Sequence, residues 1–372
     1  MAWQRRRGGL SHARGIVRLL DLRDRAAAHT TRTASATMQF ILALPPLLEK
    51  RADKSAAPQA PALAHLLAMA GLPARESGGV SAALASRYGV VRQTDWPLAP
   101  IRLAALGVDP GTDYWLAADP VTLEVGRVDV ELARVVDDFD RAAADALLAT
   151  LNSHFANDEV TFAAPRPDGF FVRVAAGIRL STSPPAAAMH RPLRGLLPQG
   201  SDAATWRRYQ SEIEMLLHEH PVNVERERAG RPPANTLWFY EGGTLPSRPV
   251  PAPSIATFAA SGVACALAAH SGTPLHSVPR DLHRARSEAG NADSIVVVLD
   301  RALDLSTLER AWAAPARDAL VAGSLDGVTL IGDEGGTAIV WQARRPRLWQ
   351  RVTGRYRTRD LGALLDTAIK AG

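Results

Sequence analysis

The sequence predicts an α/β fold, and three observations carry that expectation. Gln39-Phe-Ile-Leu-Ala-Leu44 is a strand-like apolar run, and Pro61 soon afterwards opens a helical pattern. The last third alternates again, from the β-branched run Asp293–Leu299 through a helix-opening signal at Ser306 to the apolar runs Val328–Ile331 and Thr337–Trp341. The chain has 372 residues, long enough for one large domain or two smaller ones, and at 47% hydrophobic and 22% charged it is an ordinary globular composition.

Residues 1–37 hold eight Arg against two Asp. They contribute +6 to a formal net charge of +5, so the part from Met38 onward carries −1. A basic tail on a near-neutral body is not a basic binding face, and no nucleic-acid partner is expected. The tail has no apolar h-region and is not a secretory signal, although its Arg-rich, acid-poor composition is like that of a transit peptide. Because a strand-like run follows Met38 at once, residues 1–37 read best as a disordered upstream extension. No run approaches the roughly 18 apolar residues of a membrane span, so no membrane partner is expected. The single Cys265 cannot form an internal disulfide, which favours a reducing, cytoplasmic setting and a small buried hydrophobe.

Lys50–Ala60 reads as a linker. The helix opened by Pro61 places Leu63, Leu66, Leu67 and Ala70 on one face and ends at Gly71. Residues 92–110 look loop-like, and Tyr114–Val125 reads as a strand. Asp140 caps a helix with Ala144, Leu147, Leu148, Leu151 and Phe155 on one face. Strands are expected at Thr161-Phe162 and Phe170–Val174, then a break at Ser181–Pro185. Ser201 is the expected cap of a helix carrying Trp206, Tyr209, Ile213, Leu216 and Leu217, with His218-Glu-His220 at its end. Those two histidines, on adjacent faces of a helix end, do not make a zinc site without further ligands. Ser306-Thr-Leu-Glu309 has the form of a capping box, and Pro315 should kink or divide the helix that follows. The seven Arg of Arg344–Arg359 read as a solvated edge.

The most distinctive run spans His220 to Gly243. Asn223 and Asn235 offer amides, and Arg226, Arg228 and Arg231 offer guanidinium forks suited to phosphate or carboxylate. Gly242-Gly243 would let backbone approach closely. Two readings stay open: an anion-binding loop, or a structural one in which the asparagines satisfy buried backbone and the arginines pair with Glu225, Glu227 or Glu241.

This run resembles the substrate-domain segment of archaeal-type cofactor-independent phosphoglycerate mutases, in which His-Pro-Val-Asn precedes an Arg and then Pro-Pro-Ala-Asn leads into an apolar strand and a glycine pair. Pro61–Gly71, Leu106-Gly-Val-Asp-Pro110 and the helix with Leu151-Asn152 agree in order. Bacterial RpfE-type regulatory proteins resemble it more closely, sharing this segment and the Trp-rich ending. The resemblance implies an alkaline-phosphatase-like central sheet built by residues 38–112 and 250–372, with an α+β substrate-type domain inserted at 113–249. In the family, two metal ions and a nucleophilic Ser move the phosphoryl group.

The family pattern breaks at the chemistry. The Asp-Gly that ends the family's first strand is replaced by Leu44-Pro45-Pro46. Counting back from Leu106–Pro110 puts Leu98 at the nucleophile's place, and leucine has no group for a covalent step. Where the family places late histidines, only Asp300 and Asp304 stand, and its later Asp-His is Asp333-Glu334. Asp300, Asp304 and Asp333 are weak candidate metal ligands. The expectation is a non-catalytic relative without a cofactor, regulatory or holding a small phosphorylated anion through Asn223, Arg226, Arg228, Arg231 and Asn235. The alternative is an active mutase or phosphatase using Mn²⁺ or Mg²⁺.

Overall fold

The computed structural model describes residues 38–44, 60–174, 178–250, 252–299, 303–345 and 361. The leader 1–37, nearly all of the 50–60 linker, Asp300 and most of the 344–359 run lie outside the described residues. No described helix is long and apolar enough to cross a membrane.

The α/β expectation holds. Strand β1 (Gln39–Ala43) lies between β10 (Ser294–Val298) and β11 (Gly327–Glu334), parallel to both, with Phe40 opposite Ile295 and Val328. Outward from β10 come β8 (Ile255–Phe258) and the short β9 (Leu275–His276), also parallel. Outward from β11, β12 (Thr337–Arg344) and β2 (Ala74–Ser77) run antiparallel and complete seven strands.

Alternation along β1 sends its residues to two cores. Phe40 and Leu42 face α1 (Pro61–Ala70) and α11 (Ala314–Ala322), where Leu63, Leu66, Leu67 and Leu320 are buried. Phe40 stacks on Trp312 at 6.2 Å between ring centroids. Ile41 and Ala43 face α2 (Gly79–Arg87), α3 (Leu98–Ala105) and α8 (Val263–Ser271). The apolar runs at 39–44 and 293–299 are continuous because both sheet faces are covered.

The second sheet comes from the middle of the chain. Its long strand β3 (Tyr114–Val125) pairs with β4 (Val130–Val135), β6 (Gly169–Val174) and β7 (Thr236–Gly243), and β5 (Thr161–Arg166) flanks β6. One face packs on α4 (Arg141–His154) and α6 (Ala203–His218) through Leu147, Leu151, Trp206 and Ile213. Asp140 caps α4, accepting from Ala143 N at 2.7 Å.

Several elements depart from local expectation. The 92–110 stretch contains α3, whose Leu98 and Ile101 join a core of the first sheet while Ala99 and Leu103 join a core of the second. Buried on opposite sides, α3 has no polar face, so no amphipathic stripe announced it. Ser201 does not cap α6; Asp202 stands at the cap position without a side-chain bond into the helix. His220 does not close α6 but opens α7 (Pro221–Arg228), its Nδ1 accepting from Val222 N. Short α5 (Pro185–Ala188) and α9 (Leu282–Glu288) fill connections.

The capping box at Ser306 is replaced by a different arrangement. Asp304 caps α10 (Leu305–Leu308), accepting from Thr307 N at 2.8 Å. Glu309, the supposed box partner, accepts from Ala62 N at 2.6 Å and Leu63 N at 3.0 Å, so it caps α1 from across the fold. A π-helical turn, Glu309–Ala313, then separates α10 from α11 near Pro315.

Candidate functional site

Five parallel strands end together at one edge of the first sheet, which is where open α/β sheets place ligands. Among the described residues, the ends of its three central strands β1, β8 and β10 are apolar. Leu44 follows β1, Ala259 follows β8 and Leu299 follows β10, all buried. Leu44 N donates to Ile331 O and Leu299 N to Ala43 O, which closes the edge with backbone. The described acids there are Asp333 and Glu334 at the end of β11: Asp333 Oδ1 accepts Gly336 N at 2.9 Å and so holds the turn into β12, and Glu334 Oε2 lies 2.8 Å from Arg75 Nη2.

Beside this edge α3 begins. Leu98, its first residue, is 1% exposed. Thr94, the nearby hydroxyl, is exposed and lies outside the helix. Between them Asp95 is buried, its Oδ1 accepting Trp96 N at 2.8 Å and its Oδ2 accepting Thr182 N at 3.0 Å and the Thr182 hydroxyl. Burial raises the Asp95 carboxyl above its ordinary range, and the Thr182 and Trp96 donors pull it back in part. This Asp pins the 182 loop to the entry of α3.

A polar network that local reading did not find lies on the other side of α3. Arg102 Nη1 donates to Glu241 Oε2 and to Tyr240 Oη, both at 3.0 Å, and Tyr240 Oη donates to Asp119 Oδ2 at 2.6 Å. The guanidinium also sits 5.5 Å from the Phe171 centroid and 5.7 Å from that of Tyr240. Burial pushes both carboxyls up, and Arg102 holds them back down. Glu241 adopts φ +60° inside β7, where the β3–β7 register shifts, so the backbone is strained at the residue whose carboxylate meets Arg102. The available signal was a lone charge inside each of three otherwise apolar elements: Arg102 after Ile101, Asp119 after Ala118, Glu241 after Tyr240.

Gly242 and Gly243 serve this junction by close approach. A Cβ on Gly242 would lie 2.4 Å from Tyr114 Oη, and one on Gly243 would lie 2.5 Å from Pro97 Cβ. The glycine pair therefore lets β7 lie against β3 and the start of α3.

The His220–Asn235 residues are placed as follows. Asn223, 2% exposed, donates through Nδ2 to Leu217 O and Ala234 O, each at 2.8 Å, and accepts Ala234 N through Oδ1 at 3.0 Å. Arg226, 3% exposed, donates to Pro232 O at 2.9 Å and Asp138 Oδ1 at 2.6 Å and covers the Phe139 ring at 4.7 Å. Asn235 pairs its amide with both backbone groups of Leu123, at 2.8 Å each, and so extends β7 along β3 by a side chain. Arg228 is exposed, 3.7 Å from Glu225, and Arg231 is exposed. Buried Asn223 and Arg226 and half-buried Asn235 spend their polar groups on the fold, while Arg228 and Arg231 face solvent.

Of the metal candidates, Asp300 lies outside the described residues, Asp304 caps α10 and Asp333 holds its turn. Among the described residues no three His, Cys, Asp or Glu side chains are grouped to hold a metal ion.

No family model matches the chain. Its curated relatives are 2,3-bisphosphoglycerate-independent phosphoglycerate mutases, at distant identity. That of Methanosarcina barkeri is 26% identical over 155 residues, 40% of this chain and 37% of the relative. That of Methanothrix thermoacetophila is 39% identical over 67 residues, 18% of this chain and 17% of the relative. The similarity thus spans well under half of the relatives' length. Among solved structures, the cofactor-independent phosphoglycerate mutase of Thermoplasma acidophilum superposes with a TM-score of 0.40 at 17% identity, covering 89% of this chain and 99% of that one. A Pyrococcus horikoshii protein superposes at 0.43 and 15% identity, covering 82% and 87%.

Proposed function

We propose that this protein is a non-catalytic relative of the cofactor-independent phosphoglycerate mutases, of the kind represented by bacterial RpfE-type regulatory proteins, acting in the cytoplasm by binding rather than turnover. The observation that supports this reading most is the buried Leu98 at the first turn of α3. Aligned by its distance from Leu106–Pro110, it stands where the mutases' covalent step needs a hydroxyl. The apolar edge formed by Leu44, Ala259 and Leu299 supports it further.

A two-metal centre would neutralise phosphoryl oxygens and lower an alkoxide's pKa, and needs several carboxylate or imidazole ligands on one cavity. The described residues do not fit one: Asp304 and Asp333 are spent on a cap and a turn, and the strand ends between them are apolar. A phosphorylated three-carbon acid is the ligand class to test. Within 220–235 it would meet Arg228 and Arg231, since Asn223, Arg226 and Asn235 are committed to the fold.

The deciding experiment follows 3-phosphoglycerate with Mn²⁺, Mg²⁺ or Co²⁺, in protein free of host mutase. No conversion is expected. Turnover of about 1 s⁻¹, the low end for enzymes, would overturn the non-catalytic reading in favour of an active metal-dependent mutase. Thermal-shift titration with the same acid tests binding separately.

A further inference from the structure

The tip of the β3–β4 hairpin presents apolar side chains to solvent. Val125 is 90% exposed, Val128 88% and Val130 38%. A cleft of about 730 Å³ opens beside the tip, between it, the 193–197 loop and α6. Leu123, Leu193 and Leu197 give the cleft an apolar wall, and Met215, on the same helix, is 71% exposed. A fully solvated valine pair next to an apolar cleft is surface that a monomer has no reason to keep.

The charges around the cleft narrow the choice of partner. On the α6 side the cleft carries Arg194 and Arg207 with Glu214 and His218, and on the hairpin side Glu124 and Asp129, with exposed Arg127 in the tip. Arg194, Arg207, Glu124 and Asp129 are exposed, and none of them forms an ion pair among the described residues. A strongly acidic or basic partner would find half of these charges opposed to it. A two-fold related copy would not, because rotation brings the acids of each hairpin to the arginines of the other.

We propose that this face is a self-association surface, in which the 125–130 tip of each of two copies seats in the 730 Å³ cleft of the other. Val125 and Val128 meet the leucine wall, and Glu124 and Asp129 meet Arg194 and Arg207 of the second copy. The interface is isologous, so each charge pair occurs twice.

The test is the mass of the full chain in solution by analytical ultracentrifugation, as wild type and three variants. Wild type is expected at twice 39.8 kDa and the Val125→Asp/Val128→Asp variant at 39.8 kDa. All substituted residues are exposed, so the circular dichroism spectrum should stay at that of wild type and separate lost association from lost folding. Arg194→Glu/Arg207→Glu is expected to weaken the dimer at least about tenfold, and adding Glu124→Arg/Asp129→Arg to the same chain to restore it. A wild type that stays monomeric at about 100 µM, well above a micromolar Kd, overturns the proposal. So does a dimer that the valine variant leaves intact, which would place association on another face. Failure of the combined reversal to restore the dimer overturns the two-fold geometry. Sedimentation of a monomeric wild type with phospholipid vesicles would assign the tip to a membrane surface instead.

Discussion

Replacing Asn223 by Ala separates framework from ligand binding in the 220–235 segment. The amide makes three hydrogen bonds, all to backbone: Leu217 O, Ala234 O and Ala234 N. The side chain is 2% exposed, so water has no ready path to replace it. Each lost bond is worth about 1 kcal/mol, and each buried group left unpaired adds to that, giving a total of about 3–6 kcal/mol. Asn223→Asp should be no better: it keeps an acceptor for Ala234 N but turns a second oxygen toward two carbonyls. Equilibrium denaturation of wild type, Asn223→Ala and the Arg228→Ala/Arg231→Ala pair is the assay. The two exposed arginines should cost less than about 1 kcal/mol together. A loss below about 1 kcal/mol for Asn223→Ala would refute the reasoning, since it would mean the amide does not hold the backbone.

Arg102→Met should cost about 3–5 kcal/mol, because it strands Glu241 and Asp119 without their cation; a double substitution with Glu241→Gln should recover part of the loss. Glu309→Ala should cost about 1–2 kcal/mol by uncapping α1, although the two lie far apart in sequence, and Glu309→Gln less; denaturation midpoints check both. Burial lowers the pKa of His220, which caps α7 as a neutral acceptor. The unfolded chain therefore takes up the proton first. The stability His220 confers is present above an unfolded value of about 6.5 and is lost as pH falls through the lower folded value. The Tm difference between wild type and His220→Ala should accordingly shrink as the pH drops below about 6.5, and a constant difference would contradict the assignment.

Local sequence rules read out much of the secondary structure. β1, β3, α1, α4 and the strands of the last third follow from runs of apolar residues, a proline at a helix start and the Asp140 cap, all signals that act within a few residues. The break near Pro315 was legible in the same way.

Tertiary structure decided the rest, and the reason is reach. α3 lacks a polar face because each side meets a different sheet, and nothing near residue 98 says that a second sheet will arrive. Ser306 and Asp304 are equally good local caps; Asp304 takes the role while Glu309 is drawn off to the start of α1. Asn223, Arg226 and Asn235 carry the side chains of a ligand site, yet Leu217, Pro232 and Leu123 present bare backbone to them first. Arg102 finds Glu241 139 residues away, in a strand that the pair's own neighbours place beside α3. Composition could supply each of these groups, but buried polar atoms take whichever partner the packed chain brings within about 3 Å, and only the topology sets that.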